Sequence, residues 1–258
     1  MLSKFSKASN LFFFIAVLAI TGCVHHAQLN SVQASTIELN SASDNNIDST
    51  FVKTIAPYKS VVDKEMNVVL IQSERAMDKD QPEGVLGDLI ADITLEEANI
   101  KYAKTDNLKV QICVLNNGGL RVPLPKGEIT KGKIFELMPF ENELVVVTLS
   151  GEKTKALFDF IANKNGMPVS GIKMGIKNNM ATNVLVNGEK FDPTKNYIIV
   201  TSDYLSSGGD NMNFFKEAVK TEPLSYKLRD AIIHSLEAKN KSGKTLNAQL
   251  DERIYHDK

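Results

Sequence analysis

Asn116-Asn117-Gly118-Gly119 and, just beyond it, Arg121 place amides, glycines and a guanidinium in one short run. Glycine admits positive φ and lets a backbone come close to a ligand. The guanidinium of Arg121 is a planar donor fork suited to carboxylate or phosphate. Further on, Met138-Pro139-Phe140-Glu141-Asn142 offers a flat apolar ring beside an amide. A third stretch, Ser202-Asp203-Tyr204-Leu205-Ser206-Ser207-Gly208-Gly209-Asp210, carries a second ring and a carboxylate. The physical content is a glycine loop and a Pro-Phe turn, each placed at the end of an apolar, strand-like run.

The elements that must position them are legible as apolar runs. Val110 to Leu115 reads as a strand leading into the first loop, and Pro123 and Pro125 exclude a helix directly after it. Leu144 to Leu149 reads as a strand leaving the Pro-Phe turn. A helix is expected to open at Pro82-Glu83, with Leu86, Leu89, Ile90 and Ile93 at helical spacing. Gly151 to Lys164 reads as a helix with Leu157, Phe158 and Ile161 on one face. Ala181 to Val186 and Tyr197 to Thr201 read as strands of one hairpin around Asn187-Gly188. Pro223 to Ala238 reads as an amphipathic helix with Leu228, Ile232 and Leu236 as its stripe. Tyr58 to Arg75 alternates partly, with a strand at Val68 to Ile71. Strands and helices mix without regular βαβ alternation, and no internal repeat is present, which argues α+β: a layered domain of mixed sheets and helices.

Composition bounds the function classes. The chain has 258 residues, 43% hydrophobic and 24% charged, ordinary for a globular protein with one substantial domain. Lys and Arg total 30 against 31 Asp and Glu, so no basic excess points to nucleic acid. Lys4 and Lys7 precede an apolar core, Leu11 to Ile20, which suits a signal h-region and is short for a bilayer span. Ile20-Thr21-Gly22-Cys23 resembles a bacterial lipoprotein signal with Cys23 as the lipid-carrying residue; the other reading is an ordinary signal peptide that happens to end near a cysteine. The expected organisation is a signal at 1–22, a flexible Ser/Asn/Gln-rich tether at 23–57, a domain at 58–240 and a polar, fraying tail at 241–258. The expected location is the cell envelope, on a membrane through a lipid anchor. Of the two cysteines, Cys113 sits in an apolar run and reads as a buried hydrophobe. His25 and His26 fall in the tether, where metal binding is the weaker reading.

The three motifs, in this order, resemble the C-terminal, substrate-specificity domain of the 5′-nucleotidase and UDP-sugar hydrolase family, over roughly Pro82 to Phe215. Pro82 to Asp92 resembles that family's Glu-x-x-Leu-Gly-Asn-Leu-Ile helix, with Asp88 where Asn is usual. The resemblance implies a layered α+β unit and a nucleotide or nucleoside ligand. It implies that Phe140 and Tyr204 clasp the ring, Tyr204 standing where Phe is usual; the alternative is that both rings are core. It assigns Asn116, Asn142 and Asp210 to polar recognition, Asp210 having turn capping as an equal alternative. It places Gly119 and Gly171 (in Val169-Ser170-Gly171-Ile172) against the substrate. Arg121 is expected near ribose or phosphate, or else in a surface pair usually worth under about 1 kcal/mol. The family commonly carries arginine just before this Glu83, whereas this chain has Asp78-Lys79-Asp80-Gln81. Whole members have a linker helix before this region; here only the tether is expected.

The family's hydrolysis is done by a metallophosphatase half whose two metals are held by Asp, His and Asn. This sequence has four His, at 25, 26, 234 and 256, with no Asp-x-His or Gly-Asn-His run, no Walker loop and no Gly-x-Ser-x-Gly elbow. No catalytic or metal residue is therefore assigned. No cofactor is expected on this chain, divalent metals being expected only on a separate metallophosphatase partner chain. A surface nucleoside- or nucleotide-binding lipoprotein and a degenerate structural domain are the competing readings.

Overall fold

A computed structural model describes residues 31–36, 48–106 and 109–258. The 1–22 signal, Cys23, His25 and His26 lie outside the described residues. The chain divides into two units, Met1–Val52 and Lys53–Lys258, and the second holds all the sheets described below. Among the described residues no helix is long and apolar enough to cross a membrane.

Helix α1, Ser49–Met66, corrects the tether expected over 23–57 from Ser49 onward. The Oδ1 of Asp48 accepts the backbone N–H of Thr50 at 2.8 Å and of Phe51 at 3.3 Å, an N-cap that the sequence reading passed over. Lys59 and Asp63 pair at i, i+4. None of the helix's residues is buried, so Phe51, Ile55, Tyr58 and Val62 keep helical spacing with their side chains exposed.

The domain is layered by alternation. A five-stranded sheet runs in the order β10 (Lys220–Lys227), β4 (Glu143–Leu149), β9 (Tyr197–Ser202), β2 (Ile112–Val114), β5 (Val169–Ser170). In β4, Leu144 and Val146 enter one apolar core, while Val145, Val147 and Leu149 enter another. In β2, Cys113 joins the first core, and Ile112 and Val114 join the second. This period of two is what a strand buried on both faces requires. The first core is closed by α2 (Val85–Asp106), α3 (Lys131–Leu137) and α6 (Leu228–Lys241), with Ile90, Ile134 and Ile232 fully buried. The second is closed by α4 (Gly151–Asn163), whose Leu157, Phe158 and Ile161 are buried as the spacing requires. Two smaller sheets complete the layers: β1 (Val69–Ser73) with β3 (Gly127–Thr130), and β11 (Ile254–His256), β6 (Ile172–Lys177), β7 (Met180–Val186), β8 (Glu189–Lys190). The short helix α5, Asp203–Ser206, follows β9. The α+β class is as expected.

Four local expectations are corrected. Helix α2 begins at Val85, because its first turn closes from Asp88 N–H to the Gly84 carbonyl and leaves Pro82 and Glu83 in the preceding turn. The Asn187-Gly188 turn joins β7 to the short β8, whereas Tyr197–Ser202 crosses to the centre of the other sheet. Pro223 lies in strand β10, opposite Val145, so the helix starts only at Leu228; β10 is an edge strand, where a missing N–H is tolerated. The tail does not fray: Ile254–His256 pairs in parallel with Met174–Ile176, and Leu246 and Ile254 are buried.

Arg253 is what holds that tail. Its guanidinium donates to both Asp92 oxygens (2.7 and 3.1 Å), to Asp251 and to the Val169 carbonyl at 2.9 Å, and its Nε lies 3.5 Å from Asp88. Asp88 is buried and its Oδ2 has no partner. Burial, against the pull of Arg253 and with the Glu83 carboxyl beside it, pushes the Asp88 carboxyl up to about 8. The folded chain therefore keeps a proton that the unfolded chain releases near pH 4, and Asp88's contribution to stability falls as pH rises from about 4 to about 8, by up to about 1.4 kcal/mol per pH unit. Asp88→Asn, neutral throughout, is expected to remove this slope and to gain on the wild type at pH 8.5 relative to pH 5, as measured by urea midpoints. Parallel pH curves for the two proteins would contradict it.

Candidate functional site

Strand pairing brings the three motifs to one edge. β2 and β9 run parallel, with Ile112 opposite Ile199 and Cys113 opposite Val200, so their C-terminal ends lie side by side. β4 runs antiparallel to β9, with Leu144 opposite Ser202, so its N-terminal end arrives at the same place. The Asn116–Arg121 loop, the Pro-Phe turn and the Tyr204–Asp210 loop must then converge beyond the strand ends, a usual place for ligands at sheets of this kind.

They enclose a cavity of about 380 Å³. It is lined by Asn116, Gly119, Arg121, Phe140, Asn142, Tyr204 and Asp210, with Leu115, Met138 and Leu228 as apolar floor. Phe140 is 42% exposed and Tyr204 48% exposed, which removes the reading of these rings as core. Gly171 is not brought to this cavity. It joins β5 to β6 at φ +78°, and a Cβ there would stand 2.0 Å from the Gln111 carbonyl oxygen, so the backbone crossing is what requires glycine.

A polar network ties the loops together. Asp210 accepts from the Asn116 side-chain amide at 2.6 Å and from the Tyr204 hydroxyl at 2.8 Å, and its own N–H donates back to that hydroxyl at 3.2 Å. Asp210 thus links two loops rather than simply capping its own turn. The hydrogen bond to Asp210 raises the Tyr204 phenol above its usual range. Arg121 donates from Nη1 to the Gly118 carbonyl at 3.1 Å, and its guanidinium carbon lies 6.0 Å from the centre of the Phe140 ring. That bond uses one of its five N–H donors, so most of its fork is left to the cavity it lines.

Arg229 was missed by the sequence reading. It is buried behind the Pro-Phe turn, where its Nη1 donates to the carbonyls of Met138 (3.3 Å) and Phe140 (3.2 Å). Its Nη2 pairs with Glu141, whose carboxyl Lys227 and Arg229 together hold down at about 2. The signal was a lone arginine beside the apolar stripe Leu228, Ile232, Leu236, hidden once the helix was started at Pro223.

The described residues do not fit a two-metal phosphatase centre. Among the described residues one group of three acids, Glu83, Asp88 and Asp251, comes within ligand reach of itself. The Arg253 guanidinium already pairs with two of them, Asp88 and Asp251, and no histidine joins them. His234 faces Glu97 instead, at 2.9 Å.

Fold and cavity together define a layered α+β domain with two exposed rings lining a cavity at its strand ends. The family model described as "5'-nucleotidase, C-terminal domain" matches residues 62–217, and the chain belongs to that family. It is 30% identical over 185 residues to the trifunctional nucleotide phosphoesterase protein YfkN of Bacillus subtilis, covering 66% of this chain and 12% of that one. It is 26% identical over 176 residues to a 5′-nucleotidase of Vibrio parahaemolyticus, covering 63% of this chain and 29% of that one. The crystal structure of a 5′-nucleotidase precursor from Thermus thermophilus superposes with a TM-score of 0.67 at 25% identity, over 82% of this chain and 44% of that one. The chain spans less than half the length of each.

Gly209 supports the second ring: a Cβ there would stand 2.6 Å from Tyr204 ring atoms. Gly209→Ala is expected to displace Tyr204 and weaken adenosine binding about tenfold, and also to lower Tm, because its Cβ would stand 2.6 Å from the Tyr204 carbonyl oxygen as well. Titration with adenosine checks this, and unchanged affinity would show that the ring's seat is not set by Gly209.

Proposed function

We propose that this chain is the substrate-specificity half of a 5′-nucleotidase-type phosphoester hydrolase. It binds a nucleotide or nucleoside by sandwiching the ring between Phe140 and Tyr204. The observation that carries this reading is the pair of exposed rings facing one cavity, beside an amide–carboxylate–phenol network and an open guanidinium. Each ring supplies a stacking face worth about 1–3 kcal/mol. Asn116, Asn142 and Asp210 offer donors and acceptors to the base edge or ribose hydroxyls, and Arg121 offers its fork to an anionic group. Water would be activated by metals on a metallophosphatase unit outside these residues, which carry no Asp-x-His or Gly-Asn-His run. The Cys23 motif supports a lipid anchor at the cell envelope, and with it a role in nucleotide catabolism or salvage outside the cytoplasm.

Calorimetric titration with AMP, adenosine and UDP-glucose, without metal, followed by a phosphate-release assay with manganese, tests this. Binding without release is expected from the chain alone. Phosphate release that tracks this chain through purification would overturn the division of labour. Phe140→Ala and Tyr204→Ala are each expected to weaken binding by about 1–3 kcal/mol. Unchanged affinity in the double variant would remove the clasp.

A further inference from the structure

We infer that Arg229 is a positioning residue for the clasp: from the first turn of α6 it sets where the Phe140 ring stands, and through it the affinity of the cavity. This rests on the ring-clasp reading above. Arg229 does not line the cavity, so any effect on ligand must pass through the turn it holds.

The grip comes from consecutive residues at the start of α6. Lys227 pairs with Glu141, the Leu228 N–H donates to the Asn142 carbonyl at 2.9 Å, and Arg229 donates to the carbonyls on either side of Pro139 and pairs with Glu141. The guanidinium carbon lies 4.1 Å from the centre of the Phe135 ring, so the fork is held flat by stacking. Its Nε is buried without a partner, a penalty that a purely apolar side chain would avoid. What an apolar residue cannot do is donate to two carbonyls of one turn at once. Pro139 lacks an N–H, and Phe140 is exposed on the cavity side. In front of the ring stands only the Arg121 guanidinium, 6.0 Å from its centre among the described residues, so the closer restraint comes from behind. Lys at this position would keep the charge but lose the planar fork.

The sequence has no tryptophan, so Phe140→Trp creates a single fluorescent reporter at the ring position. In that background Arg229→Lys is expected to shift the emission and raise acrylamide quenching of the ligand-free protein. In the native background it is expected to weaken adenosine binding about tenfold. Ile232→Val, buried on the same helix, serves as the stability control: it should lower Tm while leaving affinity and emission unchanged. If Arg229→Lys does not fold, Phe135→Leu, which removes the stack and leaves the charge paired, is expected to move emission and affinity in the same direction. Emission and affinity that stay at wild-type values in a folded Arg229→Lys or Phe135→Leu protein, or that merely follow Tm as in Ile232→Val, overturn the assignment. A wild type that binds no adenosine or AMP would refute the clasp instead, and the emission and quenching readouts would still decide whether Arg229 sets the ring.

Discussion

The parallel pairing of Ile112–Val114 with Tyr197–Ser202, and the antiparallel pairing of Glu143–Leu149 on its other side, is the constraint on which the site depends. It brings two strand ends and one strand start to a single edge. Residues 94 positions apart in the chain then meet: the Asn116 amide and the Asp210 carboxylate stand 2.6 Å apart. A slip of one residue in either ladder would reverse which side chains enter each core. The alternation of Leu144 and Val146 against Val145 and Val147 therefore fixes the cavity as firmly as it fixes the sheet.

Two arginines serve the structure from inside. Arg229 joins the start of α6 to the Pro-Phe turn, and Arg253 joins the C-terminal strand to α2. Each is almost fully buried, so each must be paired to be tolerated. Arg253 meets this with Asp92, Asp251 and a carbonyl, leaving Asp88 as the acid short of a donor. Asp88 stands where the family's usual residue is Asn, and its raised pKa is the physical expression of that exchange: a protonated carboxyl has the donor that an amide would bring.

The cavity itself is chemically modest. It offers stacking faces, an apolar floor, amides and a carboxylate already engaged with its neighbours. Hydrolysing a phosphate ester needs, besides such parts, an activated water and charge stabilisation. The chain belongs to the 5′-nucleotidase C-terminal domain family and spans less than half the length of the relatives described.

By itself the sequence determined the class of fold, most of the strands and helices, and the glycine and Pro-Phe motifs that line the cavity, because these are local. Periodicity in Leu144–Leu149 and in Leu157, Phe158 and Ile161 follows from backbone geometry, and the Gly-Gly and Pro-Phe turns announce themselves in composition. The tertiary structure alone decided which strands pair. Asn187-Gly188 looked like a hairpin to Tyr197, but the apolar Tyr197–Ser202 strand is buried on both faces between β4 and β2, where a solvent-side hairpin would have left it half exposed. It likewise decided that Gly171 serves a backbone crossing and Arg229 serves the Pro-Phe turn. The polar-looking tail became a paired strand once Arg253 found its carboxylates across the fold. Those outcomes rest on contacts between residues far apart in the chain, and no local pattern encodes a partner that only folding brings within reach.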